Sequence, residues 1–214
     1  MWLNRFGITG NPSGGSVMYF VEFNPDDPGG ASMGESVVGF VGASYPGAIT
    51  YDGLYIGQDS DSIGFMAGTS TEGSLRRGSS VIYQGTDIYW NGGSTLGLGI
   101  VFDTNTRTHV YFFLNGVNKY DFILEDYVNP GPYKIAASID QDSALNLNIK
   151  LIPSASDWVF TPTLPIGINT IGSIRNLTSF LDENSGTVTE SGTKILKGTV
   201  ATNTPYVTNT IIIP

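Results

Sequence analysis

The chain has 214 residues, only 14% of them charged, with ten Lys or Arg, 19 Asp or Glu and a single His. A net charge of −9 argues against a protein that binds nucleic-acid backbones through a basic surface. The absence of Cys excludes disulfide frameworks and thiolate metal sites. No apolar run is long enough for a membrane-spanning helix, and the start of the chain lacks the apolar core of a secretory signal, so we expect no membrane partner.

Short β-branched and aromatic runs follow one another along the chain, each closed by Gly, Pro, Asn or Asp, and helical periodicity is nearly absent. This pattern predicts an all-β fold, an antiparallel β-sandwich or jelly roll. Asn115-Gly116 is a pair that favours a tight hairpin turn. The predicted strands are 17–23, 37–43, 62–67, 79–83, 87–90, 96–103, 108–114, 120–124, 133–139 and 145–152.

The composition changes near residue 153, where three prolines precede a Gly-, Ser-, Thr- and Asn-rich stretch. We therefore predict a sandwich over 1–152, a Pro/Gly-rich wrap or linker over 153–192, and an extended β tail over 193–214. Three consecutive isoleucines near the chain end would promote aggregation if exposed, so we expect the tail to pair with another chain or to begin a further module. The predicted assembly residues are Ile195, Val200, Tyr206, Ile211, Ile212 and Ile213.

Motifs in the predicted strands occur in the order found in one family. L-G-L-G-I-V-F-D, then V-Y-F-F-L-N-G-V, is similar to the I-G-V strand and the N-G hairpin of SPRY domains, although Ser94-Thr95 stand where that family has G-D. Residues 17–167 thus resemble a SPRY domain, which implies a bent sandwich of the concanavalin-A-like shape. The matching segments are 19–23, 37–42, 96–103, 110–117 and 132–138.

Two later segments resemble parts of bacteriophage virion proteins. D-W-V-F-T-P with the following P-I-G, at 157–167, is similar to the segment that closes SPRY-like modules there, and 192–200 resembles a short β module that often follows. The resemblance implies a virion location, in a tail, fibre or capsid-surface component. It also implies other virion subunits as partners in an oligomeric assembly.

Carboxylate spacing argues against catalysis. Glycosidases need two carboxylates flanking the scissile bond, and enzymes of this sandwich shape place theirs on one strand. None of the six glutamates has a partner at that spacing, and Glu125 and Asp126 are adjacent, which in a strand points them to opposite faces. We therefore predict a non-enzymatic protein with no catalytic residues and no cofactor.

Metal-binding patterns are incomplete as well. Val101 stands where legume-type lectins, which share this sandwich shape, have the metal-binding Glu that accompanies the Asp at position 103. Asp59 and Asp61 lack the D-x-D-x-D-G spacing of a calcium loop, so we interpret them as solvated turn residues, with Ca²⁺ binding left open. His109 has no Ser-His-Asp context and is interpreted as a surface or edge residue. No metal site is predicted.

Aromatic residues in predicted loops are the remaining signal. Aromatic rings beside Asn or Asp can stack on sugars or anchor a protein interface, while the competing interpretation is ordinary core or rim packing. The alternative function is therefore a carbohydrate-binding adhesin that recognises a host-surface glycan. The candidate ligand-binding residues are Tyr45, Tyr51, Asp52, Tyr55, Tyr89, Trp90 and Asn91.

Overall fold

A computed structural model describes the protein at residues 16–26, 33–41, 56–58, 60, 62–68, 71–102, 108–124, 134–138, 148–152, 154–173, 181–182, 187–189, 194–196 and 206–210. Strands dominate this part of the chain, and none of its helices is long and apolar enough to cross a membrane. The strands are β1 (Ser16–Asp26), β2 (Val37–Val41), β3 (Ser62–Met66), β4 (Gly73–Arg77), β5 (Ser80–Gly85), β6 (Leu96–Phe102), β7 (Thr108–Leu114), β8 (Val117–Leu124), β9 (Lys134–Ser138), β10 (Asn148–Ile152), β11 (Ile168–Ser173), β12 (Leu181–Asp182), β13 (Thr187–Thr189), β14 (Lys194–Leu196) and β15 (Tyr206–Thr210).

The strands form two sheets that pack against each other, which confirms the predicted all-β sandwich. The first sheet has the order β13-β14-β10-β1-β6-β7-β8, and the second has the order β12-β15-β9-β2-β3-β4-β5. All pairings are antiparallel except that of β11, which runs parallel to the first half of β1 while β10 pairs with the second half. The long strand β1 therefore pairs with three other strands of the first sheet, β6, β10 and β11.

The core lies between the sheets and follows from strand alternation. In the paired strands β6 and β7, Leu98 faces Phe112 and Ile100 faces Val110, and all four side chains point inward. Asn115 and Gly116 both have positive φ, 51° and 83°, which fits the predicted tight turn. The second sheet contributes Val38, Phe40, Ile63, Phe65, Leu75, Ile135 and Ala137.

Each sheet also carries a buried apolar cluster on its outer face. On the first sheet, Met18, Phe20 and Phe113 are covered by residues 154–167, which we call the strap. On the second sheet, a smaller cluster that includes Val37, Met66 and Ala136 packs with Ile56. The sandwich thus has apolar layers outside its sheets as well as between them.

Several strand assignments differ from the sequence prediction, and β11, β12 and β13 lie in the stretch 153–192 that was expected to be a wrap or linker. Residues 87–90 are not a strand, because Thr86–Ile88 forms a single 3-10 turn and the Tyr89 amide bonds back to the Thr86 carbonyl. Strand β4 was not predicted, because Leu75 is its only large apolar residue and Ser74 and Arg76 alternate with it.

The C-terminal strands β14 and β15 pair within the chain, while the expected contact of the tail with another chain stays a prediction. Strand β14, which contains Ile195, lies between β10 and β13, and β15, which begins at Tyr206, lies between β9 and β12. Both edges of each strand are therefore paired within the chain. The sequence pattern marked these residues as strands but could not identify their partners. Val200, Ile211, Ile212 and Ile213 lie outside the described residues, and the division into three parts stays a prediction.

Candidate functional site

The predicted ligand-binding residues fall into two groups. Tyr45, Tyr51, Asp52 and Tyr55 lie outside the described residues. The second group, Tyr89, Trp90 and Asn91, is described and joins the 3-10 turn to β6.

Trp90 belongs to the core, so the prediction that its ring serves as a loop platform for a ligand is wrong. Its side chain is 0% exposed and packs edge-on to Phe65, with ring centroids 6.3 Å apart. Its indole N–H has no hydrogen-bond partner. Residues 88 and 90 both point inward, which reproduces the alternation of a strand without a strand's pairing. A ring in this position cannot stack on a sugar at the surface.

Asn91 is exposed but is engaged in a turn. Its amide donates to Ser94 Oγ at 3.0 Å, and Ser94 Oγ donates to Asn91 Oδ1 at 3.2 Å. The Gly93 amide bonds to the Pro25 carbonyl, which ties this turn to the end of β1. Tyr89 is half-buried beside it. These residues fix the local chain path and leave only part of one aromatic ring accessible.

A different pair of aromatic residues reaches the surface where the two sheets end. Tyr83 of β5 and Tyr120 of β8 stack with ring centroids 5.6 Å apart and an interplanar angle of 26°. Each follows a register shift that leaves its preceding residue unpaired, Ile82 in β5 and Lys119 in β8. Bulges of this kind redirect side chains. The two bulges therefore bring the last strand of each sheet together through a tyrosine pair.

We call the surface around this pair the tyrosine edge; it comprises Val81, Ile82, Tyr83, Val117, Tyr120 and Phe122. Val81 is 45% exposed and Val117 is 54% exposed, whereas the other four are half-buried. Strands β5 and β8 end their sheets in the described part of the chain. Apolar side chains along such terminal strands mark surfaces where other molecules bind.

Charged groups border the tyrosine edge. The Tyr83 hydroxyl donates to Asp87 Oδ1 at 2.9 Å, and this hydrogen bond is the main cause that raises the pKa of Tyr83 above its ordinary value. The Arg77 guanidinium lies 5.5 Å from the centre of the Phe122 ring, within cation–π distance. The edge thus combines aromatic faces with one anchored carboxylate and one guanidinium.

One glutamate is buried beneath the strap. Glu22 is 0% exposed on the outer face of β1, and its carboxylate accepts hydrogen bonds from the Val159 amide at 2.9 and 3.1 Å and from the Phe160 amide at 3.4 Å. Burial raises the pKa of Glu22 above its ordinary value, and the hydrogen bonds from the strap and from Asn24 oppose this rise. Glu22 therefore has a structural contact with the strap.

The acidic residues considered for metal binding do not gather in the described part of the chain. No group of three or more His, Cys, Asp or Glu that could hold a metal ion occurs among the described residues. His109 is half-buried and stacks with Tyr111 on the outer face of β7. Residues outside the described part include Asp59, Asp61, Asp103, Glu125 and Asp126.

No protein-family model and no curated protein sequence matches the chain. The resemblance to SPRY domains therefore stays a prediction, while the sandwich class stands on the strands themselves. Sequence reasoning missed the tyrosine edge because its two halves are 37 positions apart in the chain. One local signal was available in the sequence. Val81, Val117 and the two tyrosines lie on strands in which polar and apolar residues do not alternate regularly.

Proposed function

We propose that the protein is a non-enzymatic structural and interaction component of a bacteriophage virion, which binds neighbouring subunits through the tyrosine edge of its sandwich. The observation that carries this proposal is the apolar surface that β5 and β8 present together. The virion setting rests on the resemblance of residues 157–167 and 192–200 to virion proteins. With β14 and β15 paired inside the sheets, this edge replaces the tail as the proposed contact with other subunits.

A second surface feature lies beside the edge. Gly116 lies against the Phe160 ring: a Cβ atom added to Gly116 would be 3.3 Å from the nearest ring atoms of Phe160. Val117 and Val159 follow and precede these residues in the chain, so they lie at the same corner of the first sheet. Val159 is 69% exposed. The strap therefore meets the first sheet at the turn from which β8 begins.

The experiment is the mass of the native assembly in solution, measured by light scattering over a range of concentrations. We expect a multiple of the single-chain mass for the full chain, and a shift towards the single-chain mass for Val117→Lys. The matched control is Ile166→Lys, which places the same charge at a fully exposed apolar residue of the strap, outside the tyrosine edge. A chain that stays monomeric at every concentration would contradict self-assembly through this edge.

Carbohydrate binding is the second candidate function, and the stacked tyrosines favour it. Tyr83 and Tyr120 offer aromatic faces beside the Asp87 carboxylate, a combination that suits a sugar ring. A glycan array probed with the full chain tests this function. Binding that is lost in Tyr120→Ala and kept in Ile166→Lys, by a monomeric protein, would favour the adhesin over the assembly component.

A further inference from the structure

The strap is held to the first sheet by side chains rather than by strand pairing. Residues 154–167 are all described, and they contain one 3-10 turn, Ala155–Asp157, and no strand. The Trp158 indole N–H donates to the Ile152 carbonyl at 3.0 Å. The backbone amides of Val159 and Phe160 point at the Glu22 carboxylate. A segment attached in this way can separate from the sheet without breaking any strand ladder.

The surface beneath the strap is apolar. Phe20 lies at its centre and meets Trp158 and Phe160 edge-on, with ring centroids 4.7 and 5.8 Å apart. Met18 and Phe113 lie beside Phe20 and are fully buried. Lifting the strap would expose this cluster to water, so packing favours the closed position.

Glu22 is the one charged side chain within this buried cluster. Its neighbours on the adjacent strands are Gly97 of β6 and Ile152 of β10, neither of which carries a charge. The ionisable groups on this side of the packed elements are Lys150, opposite Asn24 on β10, the exposed Asp157 of the strap, and His109 and Tyr111 on β7. None of these is among the causes that shift the pKa of Glu22, which are burial, the strap amides and the hydrogen bond from Asn24.

The side chain of Asn24 can also bind the protonated form of Glu22. Asn24 bonds to Glu22 through its carboxamide, and its buried Oδ1 atom has no hydrogen-bond partner. A protonated Glu22 gains one O–H donor, which needs an acceptor. A half-turn of the Asn24 carboxamide places Oδ1 where Nδ2 now lies and supplies that acceptor. The site is therefore equipped for the neutral acid as well as for the carboxylate.

We propose that the strap is a pH-dependent cover, held most firmly when Glu22 is protonated and opened more readily, exposing the apolar outer face of the first sheet, when Glu22 is ionised. Opening returns the carboxylate to water, where its pKa is ordinary, whereas closure raises the pKa. Closure therefore takes up protons. The stability of the closed strap is fully present below the ordinary glutamate pKa and declines as the pH rises through the raised value.

Hydrogen exchange of the full-length protein tests this inference. The protection factors of the Val159 and Phe160 amides, corrected for the intrinsic pH dependence of exchange, are measured from pH 4 to pH 8. In the wild type we expect them to fall with rising pH, by up to about tenfold for each unit by which closure raises the pKa. In Glu22→Gln, whose neutral amide resembles the protonated acid, we expect protection that stays high and does not change with pH.

Two controls separate the effect of Glu22 on the strap from general effects of pH and substitution. Glu35→Gln changes an exposed glutamate in the same way and should keep the wild-type pH dependence. Phe112, in the core strand β7, should keep constant protection throughout. Equal pH dependence in the wild type and in Glu22→Gln would overturn the proposal. If Glu22→Gln does not fold, carboxyl NMR of the wild type decides, because a Glu22 that titrates at or below its ordinary pKa would refute it.

Discussion

Replacing Gly97 with Ala tests the packing beneath the strap. A Cβ at this position would lie 2.5 Å from Phe20 Cζ and 3.1 Å from Phe113 Cβ, and the first separation is too short for carbon atoms. Phe20 cannot easily move away, because it is enclosed edge-on by Phe113, Trp158 and Phe160. Overpacking a filled site of this kind costs about 1–3 kcal/mol. We expect the free energy of unfolding, measured by urea denaturation, to fall by that amount.

A double-mutant cycle isolates the cause. Phe20→Leu removes the ring atoms that an added methyl group would meet, so Gly97→Ala should cost less in that background. The coupling between the two changes should lie between about 0.5 and 3 kcal/mol, as for residues in direct contact. If Gly97→Ala leaves the stability unchanged, or if the two costs are simply additive, the described contact between Phe20 and Gly97 is wrong.

Three further predictions concern single side chains. Trp90→Phe should cost less than about 1.5 kcal/mol in urea unfolding because no indole hydrogen bond is lost, whereas Trp90→Ala should cost about 3–5 kcal/mol. Trp158→Phe should lower the stability by about 1 kcal/mol by removing the bond to the Ile152 carbonyl, and an unchanged urea midpoint would contradict that bond. Asp87→Asn should lower the pKa of Tyr83 towards 10.0, as measured by ultraviolet titration. The stabilisation from the Tyr83–Asp87 hydrogen bond is present below pH 10 and is lost as the pH rises through the raised pKa of Tyr83.

The inner faces of the strands could be read from the sequence because alternation there is regular. Leu98 and Ile100 alternate with glycines in β6, and Phe112 and Val110 of the adjacent strand β7 lie opposite them. Trp90 shows the limit of the same signal. Its pattern of inward and outward residues is that of a strand, but the turn at Thr86–Ile88 prevents ladder formation. Alternation reports which side chains are buried and does not report whether the backbone is paired.

The partners of the C-terminal strands could not be predicted for a different reason. A β-branched run has the same composition whether it completes its own sheet or the sheet of a neighbouring chain. Strand β14 pairs with β10 over a separation of more than 40 residues, and β15 pairs with β9 over about 70. Nothing local in either segment encodes such distant pairings. The same limit hid the tyrosine edge, which exists only after β5 and β8 have been placed beside each other.

The strap, by contrast, left a signal in β1. A strand with one face in water alternates apolar and polar residues, but β1 has Val21 and Phe23 on one face and Met18 and Phe20 on the other. Both faces must therefore be covered, and only one can face the second sheet. Glu22 interrupts the covered outer face, and a buried carboxylate needs donors that β1 does not supply to its own side chain. A lone acid within a strand that is apolar on both faces thus indicates a covering segment with free backbone amides, and in this chain Val159 and Phe160 provide them.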